Sequence, residues 1–527
     1  MRFLLVNPYY PISETPTPPL GLAFLAAALE EIGAEVKIAD FVVTPYSKDT
    51  MKSVIKDFKP HIVGITSVTM TFDNAIQVVK DIKSIDSGIL TVMGGPHVSF
   101  CAEETLKRHP NLDIVAIGEG DRTIANLASA VENSLSLGTV NGIVYRNGSD
   151  IIRTKPRKTL ADVNLLPLPA RHLLPLQRYR ALGMAISMTT SRGCPFQCIF
   201  CVGRKMVGAK VRYRNPYKVV DEIQYLTTLG FNQINIADDL FTANKKHCIS
   251  ICDEMIKRNI KIKWTSFARV DTVSEEVLSK MKEAGCTAVS FGIESANKEI
   301  LKTIKKGITT QQVADAVNMC VKTGIDPHAS FILGLPGETP ETLKETLDFA
   351  QKMEEIGLSY GFHLLAPFPG TEVRDKKEKY DLQILTDDWS QYHANRAIVA
   401  TSSVTRETLD DIVIDWETKF KADLDKIGTR MKKGEATEEE TQMIVNLERI
   451  IILYDIMMEE LIEKRGAWSS NKKPLSPADA LEILAGHIEK STNHTKDKIL
   501  NSLHYVFEQE TIAYTNKNGQ IRWAWVD

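Results

Sequence analysis

The chain has 527 residues, of which 43% are hydrophobic and 25% are charged, and its formal net charge is −3. This composition is typical of a globular protein with several domains, and the charge argues against nucleic acid or an anionic membrane surface as a partner. No apolar run reaches the roughly eighteen residues of a membrane span. A strand pattern begins at Arg2 and leaves no room for a signal peptide, so we expect a cytoplasmic protein without a transmembrane segment.

The first 135 residues alternate short apolar runs with helical patterns, which predicts a doubly wound, Rossmann-like parallel sheet. The predicted strands are 2–8, 35–40, 61–68, 88–95 and 113–120. Ligands of such sheets bind beyond the carboxyl ends of the strands. The loops at Gly94, Gly95 and Gly118 are therefore candidate sites, because a residue without Cβ lets a flat ligand approach the backbone. No G-x-G-x-x-G follows the first strand, so no dinucleotide site is predicted.

Residues 136–185 are predicted to connect this domain to the next one. An Asn-Gly turn at Asn147 separates two alternating runs and predicts a β-hairpin. Pro167, Pro169 and Pro175 then mark a loop that crosses to the following domain.

Three cysteines follow in one short loop. Cys194, Cys198 and Cys201 form a C-x₃-C-x₂-C motif, with Phe200 directly before the third cysteine. Three thiolates at this spacing can hold three irons of a [4Fe–4S] cluster and leave the fourth iron open to another molecule. A structural zinc normally takes four protein ligands, and no His or Cys follows Cys201 closely. A disulfide needs an oxidising compartment. The motif therefore favours a cluster over both alternatives.

Residues 186–400 contain a second alternation of strands and helices. About six β/α units predict a partial parallel (β/α)6 barrel, whose site would lie at the carboxyl ends of the strands. Polar residues follow successive predicted strands at that end: Asp238, Asp239, Arg269, Glu294, Ser295 and the segment 334–338. Asp239 and Arg269 are candidate polar contacts of a ligand bound there. The alternative is that they form ion pairs at the mouth of the barrel.

Residues 401–527 predict a mainly helical domain. Helical patterns cover 406–421, 437–464 and 477–508, and Asn518 and Gly519 predict a closing β-hairpin. The wide apolar stripe of 437–464 is typical of ordinary helix packing. The alternative is a lid over an apolar substrate.

The cysteine loop followed by a β/α barrel resembles the radical S-adenosylmethionine (SAM) superfamily. Three segments look like its strand-end motifs: 237–242, 291–295 and 331–338. The N-terminal domain is similar to the cobalamin-binding domains of one branch of it, on the segments 18–22, 94–97 and 117–120. That branch contains the anaerobic Mg-protoporphyrin monomethyl ester cyclase and several methyltransferases, whose Pro-Phe/Tyr-Pro-Gly-Thr and Trp-x-x-Tyr segments match residues 367–371 and 389–392.

The resemblance implies three cofactors: a [4Fe–4S] cluster on Cys194, Cys198 and Cys201, SAM on its open iron, and cobalamin. SAM cleaved by one electron gives methionine and a 5′-deoxyadenosyl radical, which takes hydrogen from an unactivated carbon. The implied SAM contacts are Phe200, Asp239, Arg269, Glu294, Ser330 and Gly334, and the implied cobalamin contacts are Tyr9, Ser67, Gly94, Gly95, Gly118 and Glu119. The implied partners are a small-molecule substrate and an electron donor such as flavodoxin or ferredoxin.

The reaction itself stays open in the sequence. Methyl transfer through cobalamin is the leading hypothesis, and oxidative cyclisation of a tetrapyrrole-like or hydrophobic substrate is the second. A binding or sensor protein without turnover is the third. The D-x-H-x-x-G loop, whose histidine ligates cobalt in cobalamin mutases and methionine synthase, is absent. We interpret His97 as an incidental part of a Gly-Gly-Pro turn rather than as a corrin contact.

Overall fold

The computed structural model describes residues 1–10, 16–469, 475–517 and 519–526. The N-terminal strands are β1 (Arg2–Asn7), β2 (Glu35–Asp40), β3 (Ile62–Thr66), β4 (Leu90–Gly94), β5 (Ile114–Ala116), β6 (Ile143–Asn147) and β7 (Asp150–Arg153). They form one sheet in the order β2-β1-β3-β4-β5-β6-β7, in which β1 to β5 are parallel. The helices of this part are α1 (Leu20–Glu30), α2 (Lys48–Phe58), α3 (Phe72–Ile85), α4 (Ala102–Arg108) and α5 (Asp121–Glu132). The predicted doubly wound sheet is confirmed, with its crossover point between β1 and β3.

The hairpin predicted at Asn147 belongs to this same sheet. Strand β6 pairs antiparallel with β5, with Val144 opposite Val115, and β7 pairs with β6. The side chains of Ile143 and Val144 are fully buried. The sheet therefore continues past residue 135, where the sequence analysis placed the end of the first domain, because these apolar residues complete its core.

Helix α1 separates the sheet from the second half of the molecule. Seven of its eleven residues are buried, as expected for a helix that is covered on both sides. On the side away from the sheet, the amide of Ala170 donates to the carbonyl of Ala23 at 2.9 Å. The guanidinium of Arg192 lies 4.7 Å from the centre of the Phe24 ring. Helix α1 thus brings the segment before the cysteine loop against the N-terminal sheet.

The central part is the predicted barrel. A short helix α6 (Leu176–Ala181) leads into β8 (Ile186–Met188), an antiparallel pair β9 (Ser191–Arg192) and β10 (Arg212–Tyr213), and then β11 (Gln233–Ile236), β12 (Lys263–Ala268), β13 (Cys286–Glu294), β14 (Asp326–Leu333) and β15 (Ser359–Leu364). Six of these strands form a parallel sheet in the order β15-β14-β13-β12-β11-β8. Its helices are α7 (Gly203–Val207), α8 (Pro216–Thr228), α9 (Lys245–Lys257), α10 (Glu275–Glu283), α11 (Lys298–Thr303), α12 (Thr310–Thr323) and α13 (Pro340–Glu354). Side-chain caps such as Asn244 and Thr309 fix where these helices begin.

The C-terminal part is mainly helical, as predicted. It contains α14 (Glu372–Asp375), β16 (Gln383–Ile384), β17 (Val399–Ala400), α15 (Arg406–Lys433), α16 (Glu438–Met458), α17 (Leu461–Arg465), β18 (Ala467–Ser469), α18 (Pro477–Glu489), α19 (Lys496–Glu508), β19 (Ile512–Lys517) and β20 (Gln520–Trp525). The hairpin of β19 and β20 is present, although Asn518 of its predicted turn lies outside the described residues. No helix in the described ranges is long and apolar enough to cross a membrane.

Two predicted helices of this part have different bounds in the structure. The helix expected at 406–421 continues to Lys433 and ends at Gly434, which takes a left-handed conformation. The helix expected to span 437–464 is broken, because Glu460 has a φ of 53° and starts a new segment. A left-handed residue cannot continue a right-handed helix. The chain therefore changes direction after α16, and Leu461 and Ile462 of the next segment pack into the core.

Candidate functional site

A cavity of about 400 Å³ lies between the two sheets. Gly94, Gly95 and Gly118 line it from the carboxyl ends of the N-terminal strands, at the edge where ligands of such sheets bind. Ser191 and Arg192, which lead into the cysteine loop, line it from the barrel. The structure thus brings the two predicted sites together in one space.

Gly95 is a position that only glycine can occupy. Its φ is +109°, and a Cβ atom there would lie 2.4 Å from the carbonyl oxygen of Ser67. Ser67 is fully buried and donates its amide to Gly94, so it shapes the loop from behind rather than lining the cavity. Tyr9 also lies outside the cavity lining, and its carbonyl accepts a hydrogen bond from Asn74 at 2.6 Å. Residues 11–15, which closely follow Tyr9, lie outside the described residues.

Glu119 lines the cavity, but its carboxylate is already paired with the barrel. Both of its oxygens accept from Arg212, at 2.8 and 3.0 Å, and Arg192 lies 3.6 Å away. Arg192 also pairs with Asp121 at 2.8 Å. These ion pairs tie the loop after β5 to the strands β9 and β10 that flank the cysteine loop. Glu119 thus offers the cavity its backbone, and its side chain holds the two halves of the molecule together.

Backbone hydrogen bonds hold the cysteine loop in place, and its cysteines form no disulfide bonds. The amide of Cys194 donates to Gly208 at 3.1 Å, and that of Ile199 donates to Ile304 at 3.2 Å. All eight cysteines of the chain are free thiols; Cys198 is half-buried and Cys201 is exposed. Within the described ranges, no three His, Cys, Asp or Glu side chains converge on a single metal ion. Ligation of a cluster by these thiols, each on a different iron, stays the prediction made from the sequence.

The two aspartates after β11 have different surroundings. Buried Asp238 accepts four hydrogen bonds, from the amides and hydroxyls of Thr190 and Ser191, at 2.5 to 3.1 Å. It therefore fixes the entry to the cysteine loop. Asp239 lines the cavity and accepts from the amide of Gly193 at 3.3 Å. Burial raises the pKa of both carboxyl groups.

Glu294 forms a buried ion pair that the sequence analysis missed. Its carboxylate lies 2.7 Å from the ammonium group of Lys306, and both side chains are less than a tenth exposed. The backbone of Glu294 has a φ of 72°, an uncommon conformation for a residue with a Cβ atom. Such strain is typical of a functional position. Lys306 follows Lys305 in a polar loop, and no local pattern distinguished it from an ordinary surface lysine.

Arg269 supports the cysteine loop and is paired on several sides. It makes two hydrogen bonds of 2.9 Å to Asp271 and donates to the carbonyl of Lys306 at 2.8 Å. Its guanidinium stacks 3.6 Å from the ring centre of Phe196, which lies between Cys194 and Cys198 in the sequence. The barrel-mouth ion pair that the sequence offered as an alternative is therefore present, with Asp271 as the partner.

Three more of the predicted SAM contacts, Ser330, Phe200 and Gly334, lie on different elements of the structure. Ser330 lies in the middle of β14, between β13 and β15, and Phe200 is half-buried beside Cys201. Gly334 has a φ of +86°, and a Cβ atom there would lie 3.1 Å from Leu409. Gly334 therefore packs closely against the C-terminal segment.

Glu338 organises the turn after β14. One of its oxygens accepts from the amides of Gly334 and Leu335, at 2.7 and 3.0 Å. The other oxygen is buried and has no hydrogen-bond partner among the described residues. Burial raises the pKa of this carboxyl to about 8, although the two amides act in the opposite direction. The group is therefore protonated in the folded protein near neutral pH.

We expect the Glu338→Gln variant to lose part of the pH dependence of stability. Because the pKa is about 8 in the folded protein and 4.5 in a free side chain, protonation stabilises the fold. This contribution is complete below about pH 4.5 and is lost as the pH rises through 8, by about 1.4 kcal/mol per pH unit. Melting curves should show the wild type losing more stability than the variant between about pH 5 and pH 8. Equal losses in both proteins would show that Glu338 does not titrate in this range.

His97 lies away from the cavity, at a contact between the two halves of the molecule. Its ring stacks on Phe72 at 4.2 Å and meets the edge of Trp389 at 4.8 Å. Burial lowers the pKa of His97 to about 4, so the ring is neutral. The Trp-x-x-Tyr segment therefore docks on the N-terminal sheet, which agrees with the interpretation of His97 as a structural part of its turn.

Sequence comparisons agree with this two-part site. The profile of the Radical SAM superfamily matches residues 188–350, and that of the B12 binding domain matches residues 13–128. An uncharacterized methyltransferase of Pyrococcus horikoshii is 36% identical over 421 residues, which cover 78% of this chain and 91% of the relative. The anaerobic magnesium-protoporphyrin IX monomethyl ester cyclase of Rubrivivax gelatinosus is 31% identical over 440 residues, which cover 80% and 77%.

Solved structures show the same fold. The cobalamin-dependent SAM radical enzyme OxsB with aqua-cobalamin bound superposes with a TM-score of 0.69 at 20% identity, over 96% of this chain and 84% of OxsB. The radical SAM methyltransferase TsrM from Kitasatospora setae, with cobalamin and a [4Fe–4S] cluster bound, gives a TM-score of 0.62 at 17% identity, over 97% and 99%. Both comparisons extend over the N-terminal sheet, the barrel and the C-terminal helices.

Proposed function

Because this chain belongs to the cobalamin-binding radical SAM enzymes, which use a [4Fe–4S] cluster, SAM and cobalamin, we propose that it methylates an unactivated carbon of a small molecule. When bound, these cofactors supply reductive cleavage of SAM and a centre for methyl transfer. The observation that supports the proposal is the shared cavity, in which Gly95 and Gly118 face Ser191 and Asp239. A ligand held at the strand ends of the first sheet would lie directly beside one held at the cysteine loop.

In this proposal the three cysteine thiolates ligate the cluster, and Glu294 with Lys306 receives the amino-acid end of SAM. That end is a zwitterion, with an ammonium group and a carboxylate. The carboxylate of Glu294 and the ammonium group of Lys306 are buried and lie 2.7 Å apart. The first would pair with the ammonium group of SAM and the second with its carboxylate. The two side chains pair with each other until SAM separates them. Phe200, Ser330 and Asp239 stay predicted contacts of the same ligand.

The residues around the cavity have a second role, which is to keep water out. The walls of the cavity are mostly apolar: Leu5, Leu22, Phe24, Leu25, Ile65, Val92, Ala116 and Ile124. The ion pairs of Glu119 and Asp121 with Arg212 and Arg192 close the space between the two halves. A dry site protects a reactive carbon radical from side reactions.

Oxidative cyclisation is the second candidate, because this chain resembles the Rubrivivax gelatinosus cyclase over 77% of that enzyme. Measurement of two products separates the candidates. Anaerobically reconstituted protein, with cobalamin, SAM and a chemical reductant, should form both 5′-deoxyadenosine and S-adenosylhomocysteine if it transfers methyl groups. 5′-Deoxyadenosine alone would favour cyclisation or another reaction without methyl transfer. Formation of neither product would contradict the proposed function.

A further inference from the structure

Three exposed lysines lie beside the cysteine loop: Lys158, Lys205 and Lys210, which we call the basic rim. They come from two stretches, 151–161 and 202–220, that contain no acidic residue. The chain as a whole has a net charge of −3. The basic rim is therefore a local concentration of positive charge on a slightly acidic protein.

The first contact between the rim and the cluster cysteines runs through Gly208. Its carbonyl accepts from the amide of Cys194 at 3.1 Å. On its other side, a Cβ atom at Gly208 would lie 3.4 Å from the side chain of Thr159. Thr159 directly follows Lys158 in the chain, so this lysine lies next to the backbone that holds the first cluster cysteine.

The second contact runs through helix α7. The amide of Gly203, its first residue, donates to the sulfur of Cys201 at 3.3 Å. Lys205 of the same helix lines a cleft of about 180 Å³ together with Lys158. Cys201 is the most exposed of the three cluster cysteines. The rim and the most accessible edge of the cysteine loop therefore share one surface.

Carboxylates beside the rim already have partners, and for Asp375 the partner is a lysine of the rim itself. Asp375 pairs with Lys205 at 3.3 Å. Glu119 and Asp121, which reach the cleft from the N-terminal sheet, pair with arginines of the barrel, and Glu103 pairs with Arg153. The ion pairs between described residues include neither Lys158 nor Lys210. Their charge is therefore available to an external partner.

We infer that the basic rim docks an acidic one-electron donor protein of the flavodoxin or ferredoxin type. The inference rests on the proposed function, because reductive cleavage of SAM needs one electron from outside the chain for each event. A complementary acidic surface would be steered to the rim, and its redox group would come to lie beside Cys201. The overall negative charge of the chain favours such a localised contact over binding of a nucleic acid.

The test uses the variant Lys158→Glu/Lys210→Glu and an acidic flavodoxin as the donor. We expect the flavodoxin concentration that gives half-maximal 5′-deoxyadenosine formation to rise about tenfold or more at low salt, and the defect to shrink as salt screens the contact. Reduced methyl viologen, a small cationic donor, should support wild-type rates in the variant. Calorimetry should show the same loss of flavodoxin affinity without any turnover.

The matched control is Lys52→Glu/Lys56→Glu on α2, beside the opposite edge of the N-terminal sheet, which should behave as wild type. Unchanged flavodoxin binding in the rim variant would overturn the inference, and so would an equal loss with methyl viologen. Tight binding of the rim to RNA but not to flavodoxin would overturn it as well. A wild-type protein that forms no 5′-deoxyadenosine with methyl viologen contradicts the proposed function instead, whatever flavodoxin does.

Discussion

Cys198→Ala is expected to abolish both cluster assembly and formation of 5′-deoxyadenosine. Cys198 is the central thiol of the loop, and its neighbours Cys194 and Cys201 are the only other candidate ligands on it. Two thiolates cannot hold a cluster that normally takes at least three from the protein. Iron analysis and product chromatography on anaerobically reconstituted protein should therefore give neither a stoichiometric cluster nor a detectable product.

The control for this variant is Cys101→Ala. Cys101 is another half-buried free thiol, but its sulfur donates to the carbonyl of His97, outside the lining of the shared cavity. It should keep wild-type iron content and activity. If the Cys198→Ala protein still bound a full cluster and cleaved SAM reductively, the assignment of the three ligands would be wrong.

Lys306→Met is expected to weaken SAM binding by at least about tenfold. Removing one member of a buried charge pair costs roughly 2 kcal/mol or more, and each 1.4 kcal/mol corresponds to a factor of ten in affinity. Part of this effect could come from the unpaired Glu294, so the double variant with Glu294→Gln, which removes both charges, should be measured beside it. Lys305→Met is the matched control, because Lys305 is exposed and pairs with Glu372.

A SAM analogue without the carboxylate tests whether Lys306 recognises that carboxylate. Wild-type protein should prefer SAM over decarboxylated SAM more strongly than the Lys306→Met variant does, because the carboxylate of SAM is a partner of the Lys306 ammonium group as well as of the open iron. The Lys306→Met variant should keep only the part of this preference that comes from the iron. If the variant kept the wild-type preference, Lys306 would support the fold of the site without contacting the ligand.

The sequence was sufficient to predict both sheets and the cysteine loop. Strands of the N-terminal sheet and of the barrel are short apolar runs followed by glycine or polar residues, a local pattern that determines the order of elements. The spacing of Cys194, Cys198 and Cys201 is also local, since all three lie in one loop. The glycines at 94, 95 and 118 were predictable because their positions follow from where the strands end.

The contacts that join the two halves were not predictable from the sequence. Glu119 and Arg212 are 93 residues apart, and Asp121 and Arg192 are 71 residues apart. No periodic pattern links such residues, because their pairing depends on how α1 places the barrel against the first sheet. Lys306 was missed for a different reason, because both members of its pair lie within the barrel. Its partner Glu294 lies across a loop and a helix, and a lysine in a polar segment gives no sign of burial.

Mössbauer spectroscopy of ⁵⁷Fe-reconstituted protein, prepared without air and measured with and without SAM, tests the iron site most directly. We expect the spectrum of a [4Fe–4S] cluster in which one iron changes its signal when SAM is added, as three cysteine ligands and one open position require. Zinc in place of iron, or four irons that do not respond to SAM, would contradict the assignment of the cysteine loop and the function derived from it.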